Sequence, residues 1–175
     1  KKTALKILNK FGKFDLIYSA NTISHIKNLN DVFRNINLVL NDKGSLIIED
    51  PSLIECLKKN TYDQFYNEHI YVFSFIALNN VLNKNNLEIY KIENLKIHGG
   101  SNRYYIKKKF NKKKIEKTVG NHLKIEKRFG INSIKAYYLF KERVINSKKK
   151  LLSLFKRLKK QNKKIIGYGA TAKST

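Results

Sequence analysis

FDLIYSANTISHIKNLNDVFRNINLVLNDKGSLIIED, residues 14–50, is the most informative stretch of this sequence for its architecture. The apolar run over 14–20 predicts a buried strand, and apolar residues at helical spacing over 28–40 predict a helix. Residues 41–44 predict a turn, and residues 45–50 predict a second strand. A strand, a helix and a strand in this order predict a βαβ unit with parallel strands and a right-handed crossover.

Helical and extended patterns continue along the rest of the chain. The further predictions are a cap at Asn30 or Asp31 for the first helix, a helix capped by Ser74, and antiparallel strands over 87–97 and 103–107 around a tight loop at 98–102. Two helices over 113–129 and 131–162 follow, the second with a solvated lysine-rich face, and a strand is predicted over 164–167. The predicted fold class is α/β. It comprises the later half of a Rossmann-like α/β domain (1–60), then a helical and hairpin insert and the start of a second Rossmann-like unit (61–175).

Composition limits the class of protein. At 42% hydrophobic residues the chain can bury a core, and the absence of an apolar run of about eighteen residues predicts no membrane span. One cysteine, Cys56, allows no internal disulfide framework and no multi-cysteine metal site, so we expect a reducing, cytoplasmic location and no bound metal here. Because the sequence has no methionine and ends after a glycine-rich turn, we expect both ends to be internal to a longer protein.

The net charge of +24 suggests a nucleic-acid partner, since a basic domain is the usual electrostatic footprint of one. However, 32 of the 37 basic residues are lysine, whereas readers of base edges rely on arginine. The excess is also local, with 22 basic residues and three glutamates over 107–164. We therefore expect the basic residues to form a solvated surface and expect no nucleic-acid partner. The alternative function, from a class other than enzymes, is a basic nucleic-acid-binding module.

Tyr66, Glu68, His69 and Tyr71 form the densest cluster of titratable and aromatic groups. In a helix, Tyr66 and His69 would share a face, as would Glu68 and Tyr71. A histidine beside a glutamate suits a general base at neutral pH. A histidine that only caps or packs among aromatic side chains fits the same pattern.

His98, Gly99, Gly100, Ser101 and Arg103 form a second cluster. Two glycines let the backbone approach a ligand closely, and their polar neighbours supply donors for a hydroxyl or a phosphate. A glycine hairpin turn with solvent-facing neighbours is the alternative.

Two weaker candidates lie after predicted strands. Gly167, Gly169 and Lys173 resemble a turn that binds phosphate at the start of a helix, although a third glycine is missing. Asn21 and His25 follow the first strand, where open α/β sheets bind ligands, and could contact a cofactor. Simple packing of His25 fits equally well.

Four segments in order resemble the bacterial sugar C-methyltransferases, which add a methyl group to a nucleotide-bound 4-keto deoxysugar. They are the 14–51 stretch, YDQFYNEHIYVFS at 62–74, HGGSNRYYI at 98–106 and IIGYGATAKST at 165–175. The resemblance implies an N-terminal zinc module, a central S-adenosylmethionine-dependent domain and a C-terminal Rossmann-like domain. The zinc module and the glycine-rich cofactor loop do not occur in this sequence, so this fragment alone is expected to be inactive.

The resemblance also implies roles for individual residues. His69 corresponds to the favoured base, with Tyr66 and Glu68 orienting the base and the substrate. Asn67 departs from the family, which often has a second histidine there. The segments 98–103 and 167–173 are implied to lie near the sugar and its phosphates.

The chemistry implied is removal of a proton next to a ketone and attack of the enolate on the sulfonium methyl. An O- or N-methyltransferase of another small acceptor is the nearest alternative. A degenerate, non-catalytic piece is a further one.

Overall fold

The computed structural model describes residues 1–169 as a four-stranded mixed sheet with helices. The strands are β1 (Phe14–Ala20), β2 (Leu40–Pro51), β3 (Leu87–Leu95) and β4 (Ser101–Lys108). The helices are α1 (Lys2–Phe11), α2 (Leu29–Val39), α3 (Leu53–Lys59), α4 (Phe75–Lys84), α5 (Lys117–Phe129) and α6 (Ile134–Lys160). Short 3₁₀ helices cover Ile23–His25, Tyr62–Gln64 and Ile97–Gly99.

The sheet order is β1-β2-β4-β3. β1 and β2 are parallel and joined through α2, which confirms the predicted βαβ arrangement. β4 is antiparallel to both β2 and β3, so the predicted hairpin over 87–107 is also confirmed. The α/β fold class is therefore correct.

The predicted turn at residues 41–44 is wrong, because these residues belong to β2. At Gly44 an added Cβ would lie 2.9 Å from the Phe14 carbonyl oxygen and 3.0 Å from that of Asp15. Glycine inside a strand often marks such a close approach of another backbone. Gly44 therefore permits the contact with β1 and does not end the strand.

The cap of α2 also differs from its prediction. Asn28, and neither Asn30 nor Asp31, precedes the helix, and its side-chain oxygen accepts a hydrogen bond from the Asp31 amide at 3.0 Å. The prediction of Ser74 as a cap is confirmed by a bond from the Ala77 amide to its hydroxyl at 3.1 Å.

The predicted strand over 164–167 is absent, since residues 163–169 have no regular secondary structure. A strand needs a partner for its backbone groups, and the sheet described over residues 1–169 offers none to this segment. Gly167 and Gly169 have no atom within 4 Å of an added Cβ. Lys173 lies outside the described residues.

The main core lies on one face of the sheet, under α2, α4 and α5. It includes Phe33 of α2, Leu78 and Leu82 of α4, and Ile48 and Ile106 of the central strands, all completely or almost completely buried. Alternation along a strand sends the next residues to the opposite face. There, Leu16 and Tyr18 of edge strand β1 are more than half exposed, and no residue of β1 is buried. The prediction of a strand over 14–20 is therefore right, but the prediction that it is buried is wrong, because β1 lies at the edge of the described sheet.

α6 exposes apolar as well as basic residues. Among its 27 residues only Ala136 is buried. Exposed apolar side chains along it include Ile134, Tyr138, Ile145, Leu152 and Phe155. No helix within residues 1–169 has the length and apolar character needed to cross a membrane.

Candidate active site

The candidate site lies beyond the carboxyl ends of β1 and β2. The 3₁₀ helix Ile23–His25 follows β1, and its Ser24 carbonyl accepts a hydrogen bond from the Tyr71 amide at 3.1 Å. The Tyr71 hydroxyl also donates to the Lys27 carbonyl at 2.8 Å. These bonds fix segment 61–71 against the end of β1, so the fold brings two sequence-distant candidate clusters together.

His69 has a partner on each ring nitrogen. Its Nδ1 lies 2.8 Å from the Gln64 carbonyl oxygen, and its Nε2 lies 3.2 Å from the Tyr66 hydroxyl. Because a carbonyl oxygen can only accept, Nδ1 carries the proton in this arrangement. Nε2 of the neutral ring is then the basic nitrogen, and the Tyr66 hydroxyl donates to it.

The pairing of Tyr66 with His69 arises from a turn and not from the helix considered above. The 3₁₀ helix ends at Gln64, and the His69 amide donates to the Tyr66 carbonyl at 3.0 Å. The two rings stand 4.3 Å apart. Glu68 is exposed and has no recorded hydrogen bond or ion pair among residues 1–169, so the Gln64 carbonyl orients the His69 ring instead.

His25 joins this cluster from the end of β1. Its ring meets that of His69 edge-on, with the centroids 5.0 Å apart. Asn21 begins the turn after β1 with a left-handed backbone (φ 48°), and its amide donates to the Glu49 carbonyl at 2.8 Å. The side chain of Asn21 is exposed, so it is open to a ligand.

Asp50 lies at the end of β2 and is 1% exposed. Neither carboxylate oxygen has a well-aligned hydrogen-bond partner among the described residues, although the hydroxyl and amide of Ser24 lie close enough to stabilise its ionised form. Burial raises the pKa of Asp50 to about 6, although the nearby Ser24 and His25 oppose this shift.

The glycine turn between β3 and β4 lies beside segment 61–71. The Gly99 carbonyl accepts a hydrogen bond from Lys59 Nζ at 2.9 Å, and an added Cβ on Gly99 would come within 3.1 Å of Thr61 Cγ2. His98 is exposed and left-handed (φ 50°). The loop prediction is thus right for 98–100, whereas Ser101 already belongs to β4.

Replacing Gly100 by alanine is expected to destabilise the protein by about 2 kcal/mol. Gly100 has a φ of 130°, and the new Cβ would lie 2.7 Å from Glu55 Cβ, which α3 holds in place. Gly120→Ala is the matched control. Gly120 lies inside α5 with no atom within 4 Å of an added Cβ, so alanine there should stabilise by about 0.5–1 kcal/mol. Chemical denaturation checks both signs, and equal effects would contradict the steric argument.

Ser101 and Arg103 are held by other residues of the chain. The Ser101 hydroxyl is buried and donates to the Ile97 carbonyl at 3.3 Å. Arg103 pairs through Nε with Glu49 and through Nη1 with Glu93 at 3.3 Å. Its side chain is about one-third exposed, so Arg103 meets a ligand only as part of this charged network.

No group of three or more histidine, cysteine, aspartate or glutamate side chains within residues 1–169 is placed to hold a metal ion.

Two family models match this chain. Residues 3–92, more than half of the chain, match a methyltransferase domain, and residues 96–175 match the C-methyltransferase C-terminal domain. C-methyltransferase NovU of Streptomyces niveus is 25% identical over 170 residues, which cover 97% of this chain and 40% of that protein. The chain thus spans less than half the length of its curated relative.

Solved structures give weaker likenesses. The complex of LepI with S-adenosylmethionine has a TM-score of 0.44 at 7% identity and covers 55% of this chain and 26% of its own. Magnesium protoporphyrin IX methyltransferase of Synechocystis, with bound S-adenosylhomocysteine, has a TM-score of 0.41 at 14% identity and covers 57% and 47%. Both TM-scores are too low to support any argument about the site. The two family models and the curated relative are sufficient: the chain belongs to the S-adenosylmethionine-dependent C-methyltransferase family.

Proposed function

We propose that the whole protein transfers a methyl group from S-adenosylmethionine to a carbon of a nucleotide-linked 4-keto deoxysugar. His69 is the base that removes the proton from that carbon. The observation that carries this proposal is the hydrogen bond between His69 Nδ1 and the Gln64 carbonyl, because it leaves Nε2 as the basic nitrogen. A base whose tautomer is fixed by the backbone is ready for proton transfer before substrate arrives.

The proposed reaction has two steps, proton removal and methyl transfer. Nε2 of His69 takes the proton from the carbon next to the ketone, and the C–H electron pair moves to give an enolate whose charge lies mainly on oxygen. The enolate carbon then forms a bond to the methyl group. The bound cofactor supplies that methyl as an electrophile with a neutral thioether as its leaving group. The residues of this chain position the substrate and move the proton.

Tyr66 and Glu68 assist from the same segment. The Tyr66 hydroxyl, 3.2 Å from Nε2, can turn to donate to the developing enolate oxygen when the substrate carbon takes its place at the base. The exposed carboxylate of Glu68 is available to a sugar hydroxyl. Tyr71 anchors the segment through the Lys27 carbonyl.

The acceptor is proposed to lie between segment 61–71 and the glycine turn. The closeness of Gly99 to Thr61 supports this placement. It puts His98 and Gly100, the neighbours of Gly99, on the side of the acceptor opposite segment 61–71. Arg103 contributes through its network with Glu49. We assign Gly167, Gly169 and Lys173 to the nucleotide phosphates on their resemblance alone.

Asn21 and His25 are proposed to contact the cofactor. Both lie at the carboxyl end of β1, and the exposed side chain of Asn21 fits a polar contact on one side of such a ligand. The glycine-rich cofactor loop and the zinc module belong to other parts of the whole protein in this proposal. We further propose that the boundary between the two domains lies between residues 60 and 61. We also propose a cytoplasmic location, which the buried Cys56 thiol supports because it forms no disulfide.

Proton exchange tests the carbon chemistry directly. The whole protein is incubated with a nucleotide-linked 4-keto deoxysugar in deuterium oxide without methyl donor, and the substrate is followed by NMR. We expect one proton beside the ketone to exchange with solvent, and a new carbon-bound methyl to appear after donor is added. Methylation of oxygen or nitrogen without exchange would favour the alternative methyltransferase. Salt-sensitive nucleic-acid binding tighter than binding of the sugar would favour the basic module.

A further inference from the structure

Asp50 is a buried titratable group that the mechanism above does not use. Both of its carboxylate oxygens are shielded from solvent and lack a hydrogen-bond partner among residues 1–169. The Ser24 hydroxyl oxygen is in the same state. The hydroxyl and the amide of Ser24 nevertheless lie close enough to stabilise the ionised carboxylate of Asp50. These polar groups therefore lie together at the carboxyl ends of β1 and β2, the edge of the sheet that carries the candidate site.

Charged and polar groups approach Asp50 from two elements. Ser24 and His25 face it from the 3₁₀ helix after β1, and both favour its ionised form. Asn102 is its partner in β4, and the charge of Asp50 helps to raise the pKa of the completely buried Tyr104.

Asn102 cannot satisfy Asp50, because its amide is engaged elsewhere. The Asn102 Nδ2 atom lies 3.2 Å from the Ser52 hydroxyl, 2.9 Å from the Tyr104 hydroxyl and 3.3 Å from His122 Nε2. Glu126 of α5, which contacts His122 at 3.7 Å, is the remaining charged group on this side. Ser24 and His25 are therefore the groups that stabilise a charge on Asp50.

A buried carboxylate whose polar neighbours do not compensate its lost hydration is unfavourable for folding. Desolvation penalises its charged form, and this is why the pKa of Asp50 rises to about 6. A neutral residue of the same size would avoid the penalty. Strain of this kind is typical of functional sites, where stability is given up for placement of a reacting group.

We propose that Asp50 is a positioning residue of the methyl-transfer site, which holds the 3₁₀ helix Ile23–His25 through Ser24 and so keeps His25 against the ring of His69. The 5.0 Å edge-on contact of the two rings is the physical link. This inference rests on the proposed function. It extends the site from the tyrosine–histidine segment to the end of β2.

Asp50→Asn in the whole protein tests the inference, with Asp42→Asn as the matched control. Asp42 lies in the same strand and carries the same charge, but it is exposed near the other end of β2. Because the pKa of folded Asp50 is raised, the native protein loses stability as pH rises from about 4 through 6. The asparagine variant escapes that loss. Its melting temperature should match the parent near pH 4 and exceed it by about 4 °C at pH 8.

Activity supplies the second measurement. Asp50→Asn is expected to lower kcat for methyl transfer about tenfold to a hundredfold and to slow proton exchange in parallel, with KM for the methyl donor little changed. Higher stability with lower activity is the signature of a positioning residue, and a merely structural role would lower both. Unchanged kcat, or a variant that fails to fold, would overturn the inference. If the parent protein itself exchanges no proton, the proposed function fails instead, and the melting curves still report on Asp50.

Discussion

Replacement of His69 by alanine in the whole protein is expected to lower kcat for methyl transfer about a thousandfold, because the proposed base for enolate formation is lost. Proton exchange without donor should fall by the same factor. Binding of S-adenosylmethionine, measured by calorimetry, should be nearly unchanged, since His69 is proposed to act on the acceptor and not on the cofactor. A loss confined to the exchange and transfer steps would separate the role of base from a role in cofactor binding.

Two tyrosines of the same segment provide the control for this experiment. Tyr66→Phe removes the hydroxyl next to Nε2 and is expected to lower kcat about tenfold or more. Tyr62→Phe removes a hydroxyl from an exposed tyrosine four residues earlier and should leave kcat within about twofold. Turnover of His69→Ala within about threefold of the parent would remove His69 from the mechanism. Equal losses from both tyrosine variants would indicate disruption of the whole segment.

The strand–helix–strand pattern was predictable from sequence because its signal is local. The mainly apolar run over 14–20 and the helical spacing of apolar residues over 28–40 each describe one element by itself. Gly44 shows the limit of that reasoning. A glycine after polar residues predicts a turn, but here it meets the carbonyl groups of β1, and that contact depends on a neighbour in space. In contrast, α3 was missed although Ile54 and Leu57 of its buried face do show helical spacing.

At the candidate site, too, the pairing of side chains was predictable from the sequence, whereas the contribution of the backbone was not. The sequence indicated that Tyr66 and His69 act together, and the structure places their polar atoms 3.2 Å apart. The group that fixes the tautomer is the carbonyl of Gln64, and every residue has a carbonyl, so no sequence pattern marks it. The unpartnered state of Asp50 likewise depends on what surrounds it. A carboxylate after an apolar strand was the only available signal.

The partners of Arg103 could not be predicted from the sequence. Its position after two glycines suggested a contact with phosphate, whereas the antiparallel register of β2 and β4 places it directly opposite Glu49. Register depends on the whole sheet and is not encoded near either residue. A phosphate at this point would have to compete with the carboxylates of Glu49 and Glu93.

Helix α5 stabilises the first turn of α4, the helix that follows segment 61–71, through Glu126. The carboxylate of Glu126 is completely buried and accepts hydrogen bonds from the Phe75 amide at 2.6 Å and the Ile76 amide at 3.0 Å. Together with the Ser74 cap on Ala77, it satisfies the first three amides of α4, which otherwise have no partner in the helix. Its negative charge also lies at the positive end of the helix dipole.

Glu126→Ala is therefore expected to lower the free energy of unfolding by about 4 kcal/mol, because two buried amides lose charged acceptors. Glu126→Gln should lose less, since one oxygen can still accept from one amide. Glu142→Ala is the control: Glu142 is exposed on α6, and its loss should change stability by less than about 0.5 kcal/mol. Urea denaturation at constant pH measures all three. Equal stabilities of the Glu126 and Glu142 alanine variants would mean that α4 begins without help from α5. A large loss would show that the helix following segment 61–71 depends on a carboxylate fifty residues later in the chain.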